Sequence, residues 1–281
     1  MVEDELITEA GSDPYAGYES RPTSELVELM NAEDSSVPEA VRAAAASISE
    51  AIDAIAERLR AGGRLVYVGA GSSGLIAALD ASECEATFST PPGLVVALVA
   101  GDSDAAPLAR AAAEDDRDAG ARDLAALGIR TDDAVVGISA SGSTPYVAGA
   151  LETAATAGAL TACVVCAPGS VLGGLADHEI VVVVGPEFIT GSTRLKAGTA
   201  TKLLLNIFTT LSMVRIGKVL GNLMVDLYPA NVKLRDRAAR IVQELTGRDY
   251  ETARKALEHN GWVVKKAVET LTASLTANDT E

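Results

Sequence analysis

Residues 66–74 read VYVGAGSSG and run straight on into LIAALDASECEA at 75–86. The β-branched and aromatic start suits a buried strand, the glycines suit a tight turn, and the apolar stretch beyond suits a helix. This strand–turn–helix is the opening of a βαβ unit, so its reading sets the fold class. Gly69, Gly71 and Gly74 stand in the spacing G-x-G-x-x-G. Such a turn lets backbone approach an anion closely, and the helix start behind it offers N–H groups without partners. A dinucleotide site also wants an acidic residue about 20 positions on, at the end of the second strand. Here that strand ends near Asp102, later than the fingerprint requires. Ser72 and Ser73 add hydroxyl donors that suit a phosphomonoester. The loop alone leaves both readings open.

Outward from the loop, β-branched runs bounded by Gly, Ser, Pro or Asp predict strands at 64–69, 94–100, 134–139, 160–166 and 179–184. Ala-rich stretches at 73–82, 105–126 and 145–157 predict helices between them. Five strands separated by helices imply an α/β fold: a parallel five-stranded sheet flanked by helices, flavodoxin-like or Rossmann-like. Sites in such sheets form at the carboxyl ends of the strands. Residues 24–60 are helical in period and stop at a double glycine, and 195–218 predict a long apolar helix. Residues 234–276 predict about three short helices broken at TGRD and EHNGW. The expected organisation is an N-terminal helical segment packed on the core (1–62), a sheet domain (63–232), and a small C-terminal three-helix bundle with its tail (233–281). The stretch ETARKALEHNGWVVKKAVETL resembles the ubiquitin-associated type of bundle, from which packing rather than ubiquitin binding is expected.

The 281 residues carry a net charge of −16, unevenly placed. Residues 1–185 hold 29 Asp and Glu against nine Arg and no Lys, whereas residues 186–281 hold ten against 14 Lys and Arg. That acidity argues against nucleic acid and anionic membranes as partners. It equally fits a solubility bias or adaptation to salt. No apolar run is long enough for a membrane span, and the first residues, MVEDELITEAG, are acidic where a signal peptide would be basic and apolar. A soluble cytoplasmic protein is expected. Cys163 and Cys166 form C-x-x-C inside an apolar β-rich run. Strand alternation sends residues three apart to opposite faces, so ordinary buried cysteines are expected rather than a metal or redox pair.

A second loop, VVGISASGSTPYV at 135–147, again places hydroxyls between a strand and a helix: Ser139, Ser141, Ser143 and Thr144. Helix N-caps would explain either loop alone. Two such loops in one sheet make a cradle for a phosphorylated sugar. A third turn, GPEFITGSTRLKAGTATK at 185–202, brings Ser192, Arg194 and Lys196 to the start of the long helix. Cations are misplaced there on dipole grounds, so an anion or partner carboxylates are expected beside them. Gly71, Ser72, Ser73, Ser139, Ser141, Thr144, Ser192, Arg194 and Lys196 are the candidate phosphosugar ligands. Glu114, Asp115, Asp116 and Asp118 are expected along the helix after the second strand, Asp116 and Asp118 on its solvated face.

The stretches VGAGSSG, LDASEC, AEDD, VVGISASGSTPYV, GPEFITGSTRLKAGTATKLLLN and GKVLGNLMVD, spread over residues 24–240, resemble the N-acetylmuramic acid 6-phosphate etherases, members of the sugar isomerase (SIS) group. The resemblance implies a homodimeric carbon–oxygen lyase with no metal or organic cofactor, acting on a phosphorylated amino sugar. Its reaction cleaves the C3 lactyl ether of N-acetylmuramic acid 6-phosphate to N-acetylglucosamine 6-phosphate and D-lactate. Glu83 matches the family's acid and Glu114 its base. Leu75 and Ser143 stand where the family commonly has Arg, and Gly11 and Ser12 where it commonly has Arg and Asn. Glu85 and Ala86 replace the two prolines that commonly follow Cys84. Loss of those arginines would remove donors for phosphate or the lactyl carboxylate and shift the substrate range. A sugar-phosphate-binding regulator without turnover and a related SIS lyase or isomerase acting on a different phosphosugar are the alternatives. Retention of both glutamates favours the enzyme.

Overall fold

The computed structural model describes residues 17–101, 112–225 and 232–278. Three helices open the chain: α1 (Thr23–Asp34), α2 (Val37–Ala43) and α3 (Ala45–Arg60). The helical period at 24–60 is therefore interrupted twice. Pro38 in the first turn of α2 marks one start, and Ala44, outside helical geometry at φ −89° and ψ 10°, marks the other. Strands and helices then alternate: β1 (Leu65–Gly69), α4 (Gly71–Phe88), β2 (Val95–Val99), α5 (Arg117–Ala126), β3 (Ala134–Ile138), α6 (Pro145–Thr156), β4 (Leu160–Val165), β5 (His178–Val181) and α7 (Lys196–Arg215). All five strands are parallel, in the order β2-β1-β3-β4-β5. The five-stranded parallel sheet expected from the sequence is present.

Two differences bear on the site. Helix α4 starts at Gly71, directly on the glycine loop, and runs to Phe88 rather than stopping near 82. Glu114 lies in a single 3-10 turn, Ala113–Asp115, and not along a helix. The helix begins only at Arg117, because Asp116 breaks from helical geometry and its carboxylate accepts the Ala119 N–H at 2.8 Å.

The chain divides into two units, one of Met1–Ala81 with Gly93–Ser212 and one of Ser82–Pro92 with Met213–Glu281. In the first, β1, β3 and β4 are buried along their whole lengths, which explains their unbroken apolar sequences. One core cluster joins Val66, Val68, Val135 and Val165 to the α6 residues Val147, Ala150 and Leu151. The opposite layer comes from α3, which buries Ile48, Ile52, Ile55 and Leu59 and packs beside β3, β4 and β5. Each such side chain removed from water contributes about 1.5–3 kcal/mol. Cys163 and Cys166 are buried free thiols. Burial and the nearby Glu179 push Cys163 up to about 12, and burial and Glu187 push Cys166 up to about 12, so neither is a ready thiolate.

The second unit holds the hairpin β6 (Val219–Leu220) and β7 (Leu223–Met224) and the helices α8 (Val232–Thr246), α9 (Tyr250–His259) and α10 (Val264–Asn278). The helices bury Ala239, Val242, Ala253, Leu257 and Val264 in a core of their own. Asp249 caps α9 by accepting the Thr252 N–H at 3.0 Å. The expected three-helix bundle is present. Among the described residues no helix is long and apolar enough to cross a membrane.

Candidate active site

Strand order reverses between β1 and β3, whose ends pair at Gly69 and Ile138. Loops leaving the carboxyl ends on either side of such a switch point diverge and open a crevice. The first loop is shaped by its glycines. A Cβ on Gly69 would stand 2.8 Å from the Gly74 nitrogen, and one on Gly74 would stand 2.7 Å from the Gly69 oxygen. Strand and helix therefore touch backbone to backbone. Gly71 between them holds φ +51°, and a Cβ there would meet nothing within 4 Å. The turn thus leaves the first residues of α4 open to a ligand.

The second loop is a chain of hydroxyls. Thr144 Oγ1 lies 3.0 Å from Glu114 Oε1, to which it donates. Ser139 Oγ is 2.7 Å from Thr144 Oγ1 and 3.2 Å from Ser141 Oγ, which in turn is 3.1 Å from Ser143 Oγ. The Gly142 N–H donates to Ser139 Oγ at 3.1 Å and the Ser143 N–H to Ser141 Oγ at 3.3 Å. Thr144 occupies the N-cap position of α6 without making a side-chain cap bond. Its hydroxyl serves Glu114 instead of the helix.

These loops, with the start of α7, enclose a cavity of about 260 Å³. Ala70, Gly71, Ser72 and Ser73 line it from the first loop, Ile138, Ser139, Ala140, Ser141 and Thr144 from the second, and Glu114, Thr193, Ala197 and Gly198 complete it. Seven of the expected site residues therefore converge: Gly71, Ser72, Ser73, Glu114, Ser139, Ser141 and Thr144. Helices α4, α6 and α7 all begin on this cavity, so three positive dipole ends meet where an anion would lie. Among the described lining residues Glu114 is the only ionisable group.

Ser192, Arg194 and Lys196 do not line the cavity. Arg194 is exposed. Lys196 is buried, with its Nζ 2.7 Å from Glu33 Oε2 on α1. The expectation that carboxylates hold the cation at this turn is met by Glu33, and Thr193 and Gly198 take the place of the cations at the cavity wall. Glu187, which sequence reasoning passed over, is fully buried. Its carboxylate accepts the Lys196 N–H at 2.8 Å and the Ala197 N–H at 3.0 Å, closing the start of α7. Its signal was the acidic residue just ahead of the hydroxyl-rich turn and helix.

Glu83 stands on α4 three turns beyond Gly71, is exposed, and is not part of the cavity lining. One turn before it, Asp80 is buried beside Tyr67, Thr209 and Lys202, with Lys202 Nζ at 3.6 Å. Burial raises the Asp80 carboxyl above its ordinary range, against the pull of Lys202 and the two hydroxyls. Leu75 is exposed on α4, and Ser143 is exposed with its hydroxyl on Ser141. Gly11 and Ser12 lie outside the described residues.

Residues 47–155 match the family model of the glucokinase regulatory protein N-terminal SIS domain. Over 94% of its length the chain is 53% identical to the N-acetylmuramic acid 6-phosphate etherase of Rubrobacter xylanophilus, covering 88% of that protein. It is 50% identical to the enzyme of the same name from Streptomyces avermitilis, over 95% of this chain and 86% of that one. Among solved structures, a phosphosugar isomerase of Bacteroides fragilis, described as involved in capsule formation, superposes with a TM-score of 0.53 at 19% identity. The match covers 72% of this chain and 95% of that one, and shows a shared sheet architecture.

Proposed function

The chain belongs to the N-acetylmuramic acid 6-phosphate etherase family of lyases, and on that premise we propose that it cleaves the C3 lactyl ether of this phosphosugar. The products are N-acetylglucosamine 6-phosphate and D-lactate. The observation that carries the reading is Glu114, set in a cavity of hydroxyls and helix starts that suits a phosphorylated sugar. The phosphate lies against Ser72, Ser73, Ser139 and Ser141, with helix dipoles in place of cations. The sugar ring opens to its aldehyde, which acidifies the C2 proton. Glu114 takes that proton, and the C–H electron pair moves into conjugation with the aldehyde. Those electrons return to expel lactate from C3, the C–O bond breaks, and the leaving oxygen takes a proton, a step that the family resemblance, not the cavity lining, assigns to Glu83. Water then adds across the C2–C3 double bond, its hydroxyl to C3 with its proton to the Glu83 carboxylate, while Glu114 returns its proton to C2. Each proton transfer of this kind contributes typically about 10²–10⁴-fold in rate.

Glu114→Gln and Glu83→Gln are each expected to lower kcat by at least ~10²-fold while leaving the melting temperature within about 2 °C of the parent. Near-parental turnover in either variant removes that residue from the mechanism. We also propose a cytoplasmic homodimer. Leu75 and Leu79, one turn apart on α4 and 53% and 50% exposed, form an apolar stripe that supports this reading. Sedimentation of the chain as a monomer contradicts it.

One observation favours a second reading. The described lining offers no Arg, Lys or His for the lactyl carboxylate, and Leu75 and Ser143 stand where the family commonly has Arg. A related lyase acting on a phosphosugar without that carboxylate meets this cavity equally well. Equal binding of phosphorylated hexosamines with and without the lactyl group supports the second reading. A clear preference for the lactyl sugar supports the first.

A further inference from the structure

We propose that Thr144 couples phosphate binding to the strength of the base, so that Glu114 takes a proton more readily when a phosphorylated sugar fills the cavity. The inference rests on Glu114 being the base.

A hydroxyl owns one proton, which it can give to one acceptor at full strength. Glu114 lies 3.0 Å from Thr144 Oγ1, so with its carboxylate ionised the Thr144 proton points at it. The 2.7 Å contact between Ser139 and Thr144 must then have Ser139 as donor. By the same count Ser141 donates to Ser139, and Ser143 donates to Ser141. The whole chain is polarised toward one carboxylate, and each bond strengthens the next. Glu114 thus accepts from Thr144 at the end of a chain of four hydroxyls.

Ser139, Ser141 and Thr144 also line the cavity wall where the phosphate is placed. A phosphate dianion presents several oxygens to those same hydroxyls and competes for their protons. Rotation of each O–H about its C–O bond turns the chain from Glu114 to the phosphate, with no backbone movement. Thr144 then gives its proton to the phosphate, and Glu114, relieved of that donor, becomes the stronger base for the C2 proton. A hydrogen bond to a charged acceptor of this kind holds back reactivity by roughly 10–100-fold. A sugar without phosphate would meet Glu114 still engaged.

The test compares the parent, Thr144→Val and Thr144→Ser on N-acetylmuramic acid 6-phosphate and on unphosphorylated N-acetylmuramic acid, with and without added phosphite dianion. In the parent, phosphite is expected to raise turnover of the unphosphorylated sugar about 10-fold or more. Thr144→Val is expected to raise KM for the phosphorylated sugar about 10-fold, since it loses a phosphate donor. Its turnover of the unphosphorylated sugar is expected not to respond to phosphite. Thr144→Ser restores parental behaviour. Parallel loss of kcat on both sugars in Thr144→Val, or phosphite activation surviving in it, overturns the coupling. Infrared difference spectra on adding inorganic phosphate separate this outcome from failure of the etherase reading. The Glu114 carboxylate band, identified by its absence in Glu114→Gln, is expected to shift in the parent and not in Thr144→Val. If the parent turns over neither sugar, the etherase reading fails and the infrared result alone decides. No shift in the parent overturns the coupling.

Discussion

Asp133 does not line the cavity, yet it is a heavily bonded carboxylate at the amino-terminal edge of the sheet. It is fully buried and accepts from the Arg64 backbone N–H at 2.8 Å, from the Arg64 guanidinium at 2.7 Å, and from the Arg130 N–H at 3.0 Å. Burial alone would raise its carboxyl, but the bonds from Arg64 and Arg130 outweigh it and hold the group below the usual range. A group depressed in the folded state adds stability above its unfolded value, near pH 4, and that stability is lost as pH falls through the folded value. Asp133→Asn is therefore expected to cost about 2–4 kcal/mol at pH 7, somewhat under a fully buried pair because Arg64 is partly exposed, and to flatten the acid branch of the stability curve below pH 4. An unchanged acid branch contradicts this role. At this scale the sequence was legible only in part. Ser72, Ser73, Ser139 and Ser141 declare themselves by residue type beside a turn. The partners of Asp133 and Glu187 are set by tertiary placement, which no local pattern carries. The sequence reading makes Arg194 and Lys196 phosphosugar ligands, but neither lines the cavity: one is exposed and the other reaches Glu33 on a helix 163 residues away in sequence.

Among the elements, the start of α7 shows how one segment serves stability and ligand at once. Glu187 satisfies its first two N–H groups, so the turn holds without a ligand. Gly198, in the next position, lines the cavity. A Cβ there would meet nothing closer than Thr193 O at 3.6 Å and Ile76 Cδ1 at 3.8 Å, ordinary contact distances. Packing within the protein therefore gives no reason for glycine, which costs about 0.5–1 kcal/mol relative to alanine in a helix. Room for a ligand does. Gly198→Ala is expected to raise the melting temperature by about 1–3 °C and to weaken binding of N-acetylglucosamine 6-phosphate roughly 10-fold, read by thermal scanning and calorimetry. Higher stability with unchanged binding contradicts the assignment. Strand and helix placements were legible because parallel strands buried on both faces leave unbroken apolar runs. The 3-10 turn that carries Glu114 was not, because its five neighbouring acidic and alanine residues read equally well as a helix until Asp116 turns inward as a cap.

For the whole molecule, charge and topology act separately. A net charge of −16 opposes a compact chain through self-repulsion, and salt screens it. The melting temperature is expected to climb as KCl rises from about 0.01 M, where charges interact over ~30 Å, to about 1 M, where they are screened within ~3 Å. A flat or falling curve contradicts a destabilising role for that charge. The topology does what the charge does not: order 2-1-3-4-5 opens one crevice, and the chain sends both hydroxyl loops and Glu114 to it. That convergence was expected from two strand–turn–helix segments in one sheet, and under the proposed function the opening G-x-G-x-x-G reads as half of a phosphosugar cradle rather than as a dinucleotide fingerprint. The most direct test of the central claim is an enzymatic assay for D-lactate after incubating the purified chain with N-acetylmuramic acid 6-phosphate, beside Glu114→Gln. Stoichiometric D-lactate and N-acetylglucosamine 6-phosphate from the parent, with none above background from the variant, is the predicted result. No D-lactate from the parent, or equal amounts from both, contradicts it.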